Sequence, residues 1–375
     1  MYARNRGSNL PPSVPSTPLD KASQVENQVA AQLAKQSGRK RYGVDSFMAL
    51  LLTIIDFTQI IDHVIEAGIK HELEDDDDTE RALPIALRRQ LEDWDTFCSK
   101  IPGFKDMIMT LASKRTVRHD LSRHLTNGVE AACCDDRAAL KSGLPSFLLY
   151  DTKKTLDPAI ATSGNKADRG FNHPVTAALL CPITLPATTL TYQDIQDGYT
   201  LVNAKQLPRF LYPHDRTEDN SISDGAFQGY LMIRAAKFIL IGRSCATSEP
   251  GASTGRRGNA ALAEIHTITP RVIAYIAVQL HFALSSQSTW GLKDKALFDY
   301  HKFYWNIVSF FEADASGGQD ILEYYNYHLW GDKSGHLSSA LNANGDDHDS
   351  DDGDDGFALL VNERAAKRAR ADPFA

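Results

Sequence analysis

The chain has 375 residues, 42% of them hydrophobic and 23% charged, which allows a sizeable buried core and excludes a wholly disordered or fibrous protein. Its net charge of −8 is set by two acidic runs, Glu72 to Glu80 and Asp346 to Asp355; without their fourteen carboxylates the remainder carries +6. Five cysteines, none in a C-x-x-C pair, exclude a disulfide framework or a cysteine-rich zinc module and fit a reducing compartment.

The first forty and last forty residues are polar and low in aromatics, so residues 1–42 and 332–375 read as disordered tails around a helical domain spanning 43–331. No uninterrupted apolar stretch reaches the roughly 20 residues a bilayer demands, so no membrane partner is expected. Within the domain, "DSFMALLLTIIDFTQIIDHVIEAG" spaces Phe47, Leu50, Ile54, Phe57, Ile61 and Val64 by alternating threes and fours, predicting a helix from Asp45 to Gly68. "LPIALRRQLEDWDTFCSKIP" and "GFKDMIMTLASKRTVRHDLSRHL" predict two more, parted by Pro102 and Gly103. On the second, Arg115, His119 and Arg123 recur every fourth residue beside Lys114 and Arg118, a cationic stripe able to lie along phosphates. No aromatic residue interleaves with it to stack on bases, so a solvated face is the competing reading.

Residues 43–143 thus form an N-terminal helical part, and 144–225, with seven prolines, an irregular middle with short helices and extended pieces such as "PRFLYPHD". From 226 to 331 helical periodicity returns. "FQGYLMIRAAKFILIG" predicts a helix capped by Ser223 or Asp224, with Phe227, Leu231, Ala235 and Phe238 on one face and Gly242 as its stop. "TPRVIAYIAVQLHFALSS" is apolar nearly all round, with Thr269 as N-cap and Pro270 at the first helical position, predicting a central buried helix over 269–285. "LFDYHKFYWNIVSFFE" and "QDILEYYNYHLW" follow as aromatic-rich helices packed on it. The fold class is therefore mostly α, an irregular helical bundle around one buried helix.

Two segments carry candidate chemistry. In "DRGFNHPVTAALLCP", Asp168 and Arg169 precede His173, which sits before Pro174 and a short helix whose apolar face is Val175, Ala178 and Leu179. Asp168, Arg169, His173 and the distant His266 are the weak catalytic candidates, and a structural ion pair with a hydrogen-bonded histidine is the competing reading. In "GRRGNA", Arg256 and Arg257 in a glycine loop make an anion cradle without the P-loop spacing. With Lys114, Arg115, Arg118 and Arg123 they form the candidate nucleic-acid-binding set. No G-x-S-x-G, H-E-x-x-H or EF-hand spacing occurs, so no metal or cofactor is called for.

The blocks "DRGFNHPVTAALLCP", "FQGYLMIRAAKFILIGRS", "RRGNA", "RVIAYIAVQLHFALSS" and "FYWNIVSFFE", in that order, resemble an uncharacterised domain family expanded in mushroom-forming fungi. The resemblance spans roughly 43–331 and implies membership without an activity, because that family has none established. The chain departs from it in closing on "YYNYHLW" and in a longer stretch between Asn259 and His266. Three readings follow: a helical binding module, chromatin- or nucleic-acid-associated by analogy with mobile-element neighbours; an interaction scaffold whose acidic tail recruits a basic partner; and a hydrolase using Asp168, His173 and His266. Short basic clusters at Arg39 to Arg41 and Lys367 to Arg370 place the nucleus ahead of the cytoplasm.

Overall fold

The computed structural model describes residues 103–110, 114–216, 221–253, 258–263, 265–291 and 298–336, with Ile85, Arg88, Arg89, Glu92, Trp94 and Asp95 before them. The predicted 45–68 helix, both acidic runs, the N-terminal tail, residues 337–375 of the C-terminal tail, Arg256 and Arg257 lie outside these residues. The described chain is mostly helical, with an isolated β-bridge between Pro182 and Pro208.

Helix α1 (Phe104–Thr110) and α2 (Arg115–Gly143) replace the single helix read from Gly103 onward. The 29 residues of α2 run through Gly128 and well past the predicted end at Leu125, since "VEAACCDDRAALKS" is rich in helix formers and sets Val129, Cys133 and Leu140 on the buried face. The middle segment holds α3 (Pro174–Leu180) and α4 (Thr189–Gln196), joined by loops and 3₁₀ turns. Its "PRFLYPHD" piece is not extended but turns through Arg209–Leu211.

Helix α5 (Tyr230–Leu240) starts three residues later than Phe227. The delay has a steric cause: the Gly229 N–H bonds the Leu211 carbonyl at 3.1 Å, and a Cβ at Gly229 would lie 2.1 Å from the Phe210 carbonyl oxygen. Neither Ser223 nor Asp224 caps the helix, whose N-cap is Gly229. At the other end the Gly242 N–H turns back to the Lys237 carbonyl, the predicted stop.

After the single-turn α6 (Asn259–Leu262), helix α7 (Pro270–Leu284) matches its sequence reading. The Thr269 hydroxyl accepts from the Val272 N–H, and every residue from Val272 to Leu284 is buried. Helices α2, α3, α5 and α8 (Tyr300–Ala313) all pack on α7, as an all-round apolar helix requires. Helix α9 (Ala315–Trp330) follows after Asp314 alone, whose carboxylate caps its first turn, and it packs on α8 and α5. The Arg89 guanidinium docks on the outer face of α8, gripping Glu312 with two nitrogens and lying 4.5 Å from the Trp305 ring centre.

Candidate functional site

The loop before α3 is built around buried cations. Arg169 is fully buried, and its guanidinium donates to the carbonyls of Lys141 (2.7 Å), Ala161 (3.0 Å) and Ala283 (2.9 Å). Lys141 and Ala283 stand in the last turns of α2 and α7, so one guanidinium ties together the carbonyl-rich, partially negative ends of two helices. Lys166, 1% exposed, adds to this by donating to the Phe282 carbonyl and standing 3.5 Å from the Phe282 ring centre. Burial pushes the Arg169 guanidinium down from its usual range, with Asp168 partly offsetting the effect.

Asp168 accepts from the Ala161 N–H at 2.9 Å and makes no ion pair with Arg169, contrary to the pairing weighed from sequence. Its other carboxylate oxygen is buried without a partner. His173 is the N-cap of α3: its Nδ1 accepts from the Val175 N–H at 3.1 Å, which leaves Nε2 as the donor to the Pro158 carbonyl at 2.7 Å. Both ring nitrogens are therefore engaged by backbone. The face that α3 buries is Thr176, Ala177 and Leu180; Val175, Ala178 and Leu179 are half-buried, because the Thr176 hydroxyl is drawn inward to the Gly170 carbonyl at 2.6 Å.

His266 is not part of this cluster. It precedes the N-terminus of α7, whereas Arg169 grips the C-terminus, so the 15-residue helix holds the two about 22 Å apart at 1.5 Å per residue. His266 is half-buried, with its carbonyl accepting from the His336 N–H and its ring 6.4 Å from that of His336. On α2, Arg115, His119 and Arg123 are exposed and share one face; Arg123 pairs with Asp120 at 3.0 Å, and Lys114 is half-buried at the N-cap. The Arg118 side chain is outside the described atoms.

A second buried polar cluster joins α2 to α7. The Tyr275 hydroxyl donates to Asp136 at 2.6 Å, and burial raises the Asp136 carboxyl to about 6. Burial also raises the neighbouring Cys133 thiol to about 12, which removes it as a nucleophile. His281, inside α7 and stacked on Phe298 at 3.9 Å, is pushed down to about 3 by burial and by Lys166. Among the described residues no group of three or more His, Cys, Asp or Glu is placed to hold a metal ion, and no helix is long and apolar enough to cross a membrane.

A feature that sequence reasoning missed is an open apolar pocket of about 270 Å³ between α8 and the segment from Ala204 to Phe227. Phe303, Ile307 and Phe310 of α8 form one wall; Leu207, Tyr212, Ala226 and Phe227 form the other, with Lys205, Ile222, Ser223 and Asn306 completing the lining. The wall is held in a constrained backbone. Phe227 has φ of 63°, rare for a bulky residue, and Gly225 has φ of 68°. The Tyr325 hydroxyl fixes that turn by donating to the Phe227 carbonyl at 2.9 Å, while the Phe227 ring lies 5.0 Å from that of Phe310.

Residues 127–330 match the model of a family of unknown function, DUF6698, and this stretch is 204 of the 375 residues. The chain belongs to that family. Neither the comparison with curated proteins nor that with solved structures returns a match. The DUF6698 match begins inside α2 and ends on the last residue of α9. It encloses the Arg169 joint, His173, His266 and every pocket residue, and leaves Lys114, Arg115, Arg118 and Arg123 outside. The pocket was hidden in the sequence because its walls come from segments about a hundred residues apart. Its one local signal was the pair of glycines, Gly225 and Gly229, in a segment otherwise read as helix.

Proposed function

We propose that this DUF6698 chain is a helical binding module whose binding site is the pocket between α8 and the segment 204–227. The observation that carries the reading is the pocket itself: an aromatic-lined recess open to solvent, walled by a residue in a strained conformation that surrounding packing and a buried tyrosine bond maintain. Both ring nitrogens of His173 and one oxygen of Asp168 are engaged by backbone, and His266 stands at the other end of α7, so a hydrolase using Asp168, His173 and His266 has the least support. The test is a titration of the full chain with a small neutral apolar probe, 1-octanol, followed by chemical shifts of Phe303, Ile307 and Phe310. Saturable shifts there, lost in Ser223→Trp, which fills the recess from an exposed rim position, support the reading; unchanged shifts remove it.

A second reading, association with nucleic acid or chromatin, is favoured by the exposure of Arg115, His119 and Arg123 on one face of α2. The basic clusters at the chain's two ends would serve nuclear residence in that reading, and expansion of the family in mushroom-forming fungi belongs with it. A salt titration against labelled DNA and RNA tests it. Binding that weakens steeply with salt and is lost in Arg115→Glu with Arg123→Glu supports the stripe, and equal binding by the variant eliminates it. The interaction scaffold, with its acidic tail as bait for a basic partner, is tested by the same protein lacking residues 346–355.

A further inference from the structure

We infer that the ligand of this pocket is an amphipathic monocarboxylate of about ten heavy atoms, its apolar tail between α8 and Phe227 and its carboxylate at Lys205; the inference rests on the pocket being a binding site. Size comes first. A volume of about 270 Å³, at about 30 Å³ for each atom-sized group, accommodates about nine or ten heavy atoms. That is enough for an eight-carbon chain with a carboxylate.

Polarity comes second. The inner walls offer phenyl and aliphatic surface, with Tyr212 and Asn306 already committed: the Tyr212 hydroxyl donates to the Ile222 carbonyl at 2.9 Å and the Asn306 amide to the Ala204 carbonyl at 2.9 Å. The depths therefore favour a tail without polar groups, since any such group would lose its hydration without gaining a partner.

Charge comes third. Among the described residues Lys205 is the one charged residue in the lining; it is exposed at the mouth and pairs with no described carboxylate. Among the described residues no Asp or Glu lines the pocket. The nearest acid in sequence, Asp224, already accepts from the Ser221 N–H at 2.8 Å. The Lys205 ammonium therefore sets the sign of the charge that the described lining offers at the mouth. A chain with a carboxylate at one end satisfies both the dry interior and the cationic rim, whereas a neutral alcohol satisfies only the first.

The experiment is calorimetric titration of the full chain with sodium octanoate and, separately, 1-octanol, at low salt and at about 0.5 M salt. Octanoate is expected to bind about fivefold more tightly than octanol, the size of one exposed ion pair. That advantage should vanish in Lys205→Gln and at high salt, and Ser223→Trp should weaken both compounds at least tenfold. Equal affinities for the two compounds would overturn the carboxylate assignment and leave the pocket as an apolar site. Binding of neither would overturn the pocket reading along with it. Capture of a short acidic peptide bearing a phenylalanine, with octanoate failing to compete, would assign the recess to a protein partner and likewise overturn the inference.

Discussion

Replacing Arg169 by alanine tests whether the loop before α3 is a structural joint. The substitution removes a fully buried guanidinium and leaves the carbonyls of Lys141, Ala161 and Ala283 without their donor. A hydrogen bond to a charged group contributes about 1.5–3 kcal/mol, so three such bonds set a ceiling of about 9 kcal/mol. Water entering the vacated space will rehydrate some of the carbonyls, and removal of the buried cation recovers its desolvation cost, which lowers the net loss to about 3–5 kcal/mol. In a domain of this size about 1 kcal/mol moves Tm by 2–4 °C, so calorimetry should show a fall of about 6–20 °C. Arg169→Lys should recover little of it, because one ammonium cannot span two helix ends and a loop carbonyl. Asp168→Asn is the control: its amide oxygen can still accept from the Ala161 N–H, and the loss should stay within about 1 kcal/mol. A Tm within about 2 °C of the parent for Arg169→Ala would refute the joint.

Three further outcomes follow from the buried polar groups. The Asp136 carboxyl sits at about 6 in the fold, above its value in the unfolded chain, so the folded state holds the extra proton. Its contribution therefore declines as pH rises from about 4 to 6, by on the order of 1–3 kcal/mol, and urea denaturation of Asp136→Asn should lack that slope while keeping the Tyr275 bond. His281 works in the opposite sense: at about 3 in the fold it stays neutral while the unfolded chain takes up a proton below pH 6.5. The protein should lose about 2 kcal/mol between pH 6.5 and 5 from this residue, and the same denaturation series should show His281→Phe spared of it. Tyr325→Phe strands the buried Phe227 carbonyl and should cost about 1–3 kcal/mol while weakening octanol binding; a variant with unchanged binding would disconnect that turn from the pocket.

The helical class and the identity of the central helix were legible in the sequence because they are local. Thr269, Pro270 and thirteen successive buried residues form a cap and an all-round apolar surface that only a core position can satisfy. The caps Asp299 and Asp314 obey the same local rule but were not read, and the last helix starts four residues before the Gln319 at which its sequence pattern begins. The start of α5 was not legible, since the constraint there is the Phe210 carbonyl, brought against Gly229 by the tertiary fold.

Partnership is the other matter that spacing along the chain does not encode. Asp168, Arg169 and His173 were recognisable as polar groups beside a helix start, but their partners, the Ala161 N–H for Asp168, the carbonyls at 141, 161 and 283 for Arg169 and the carbonyl at 158 for His173, are backbone atoms invisible in side-chain patterns. Pocket walls contributed by α8 and by residues 204–227 are likewise each ordinary apolar sequence, and become a site only where the two meet. Sequence by itself thus determined the mostly helical class and which helix must be central, through period and capping. Which polar groups are consumed in holding helices together, and which surface is left open to a ligand, was decided by long-range packing, because both depend on what each group faces across the core.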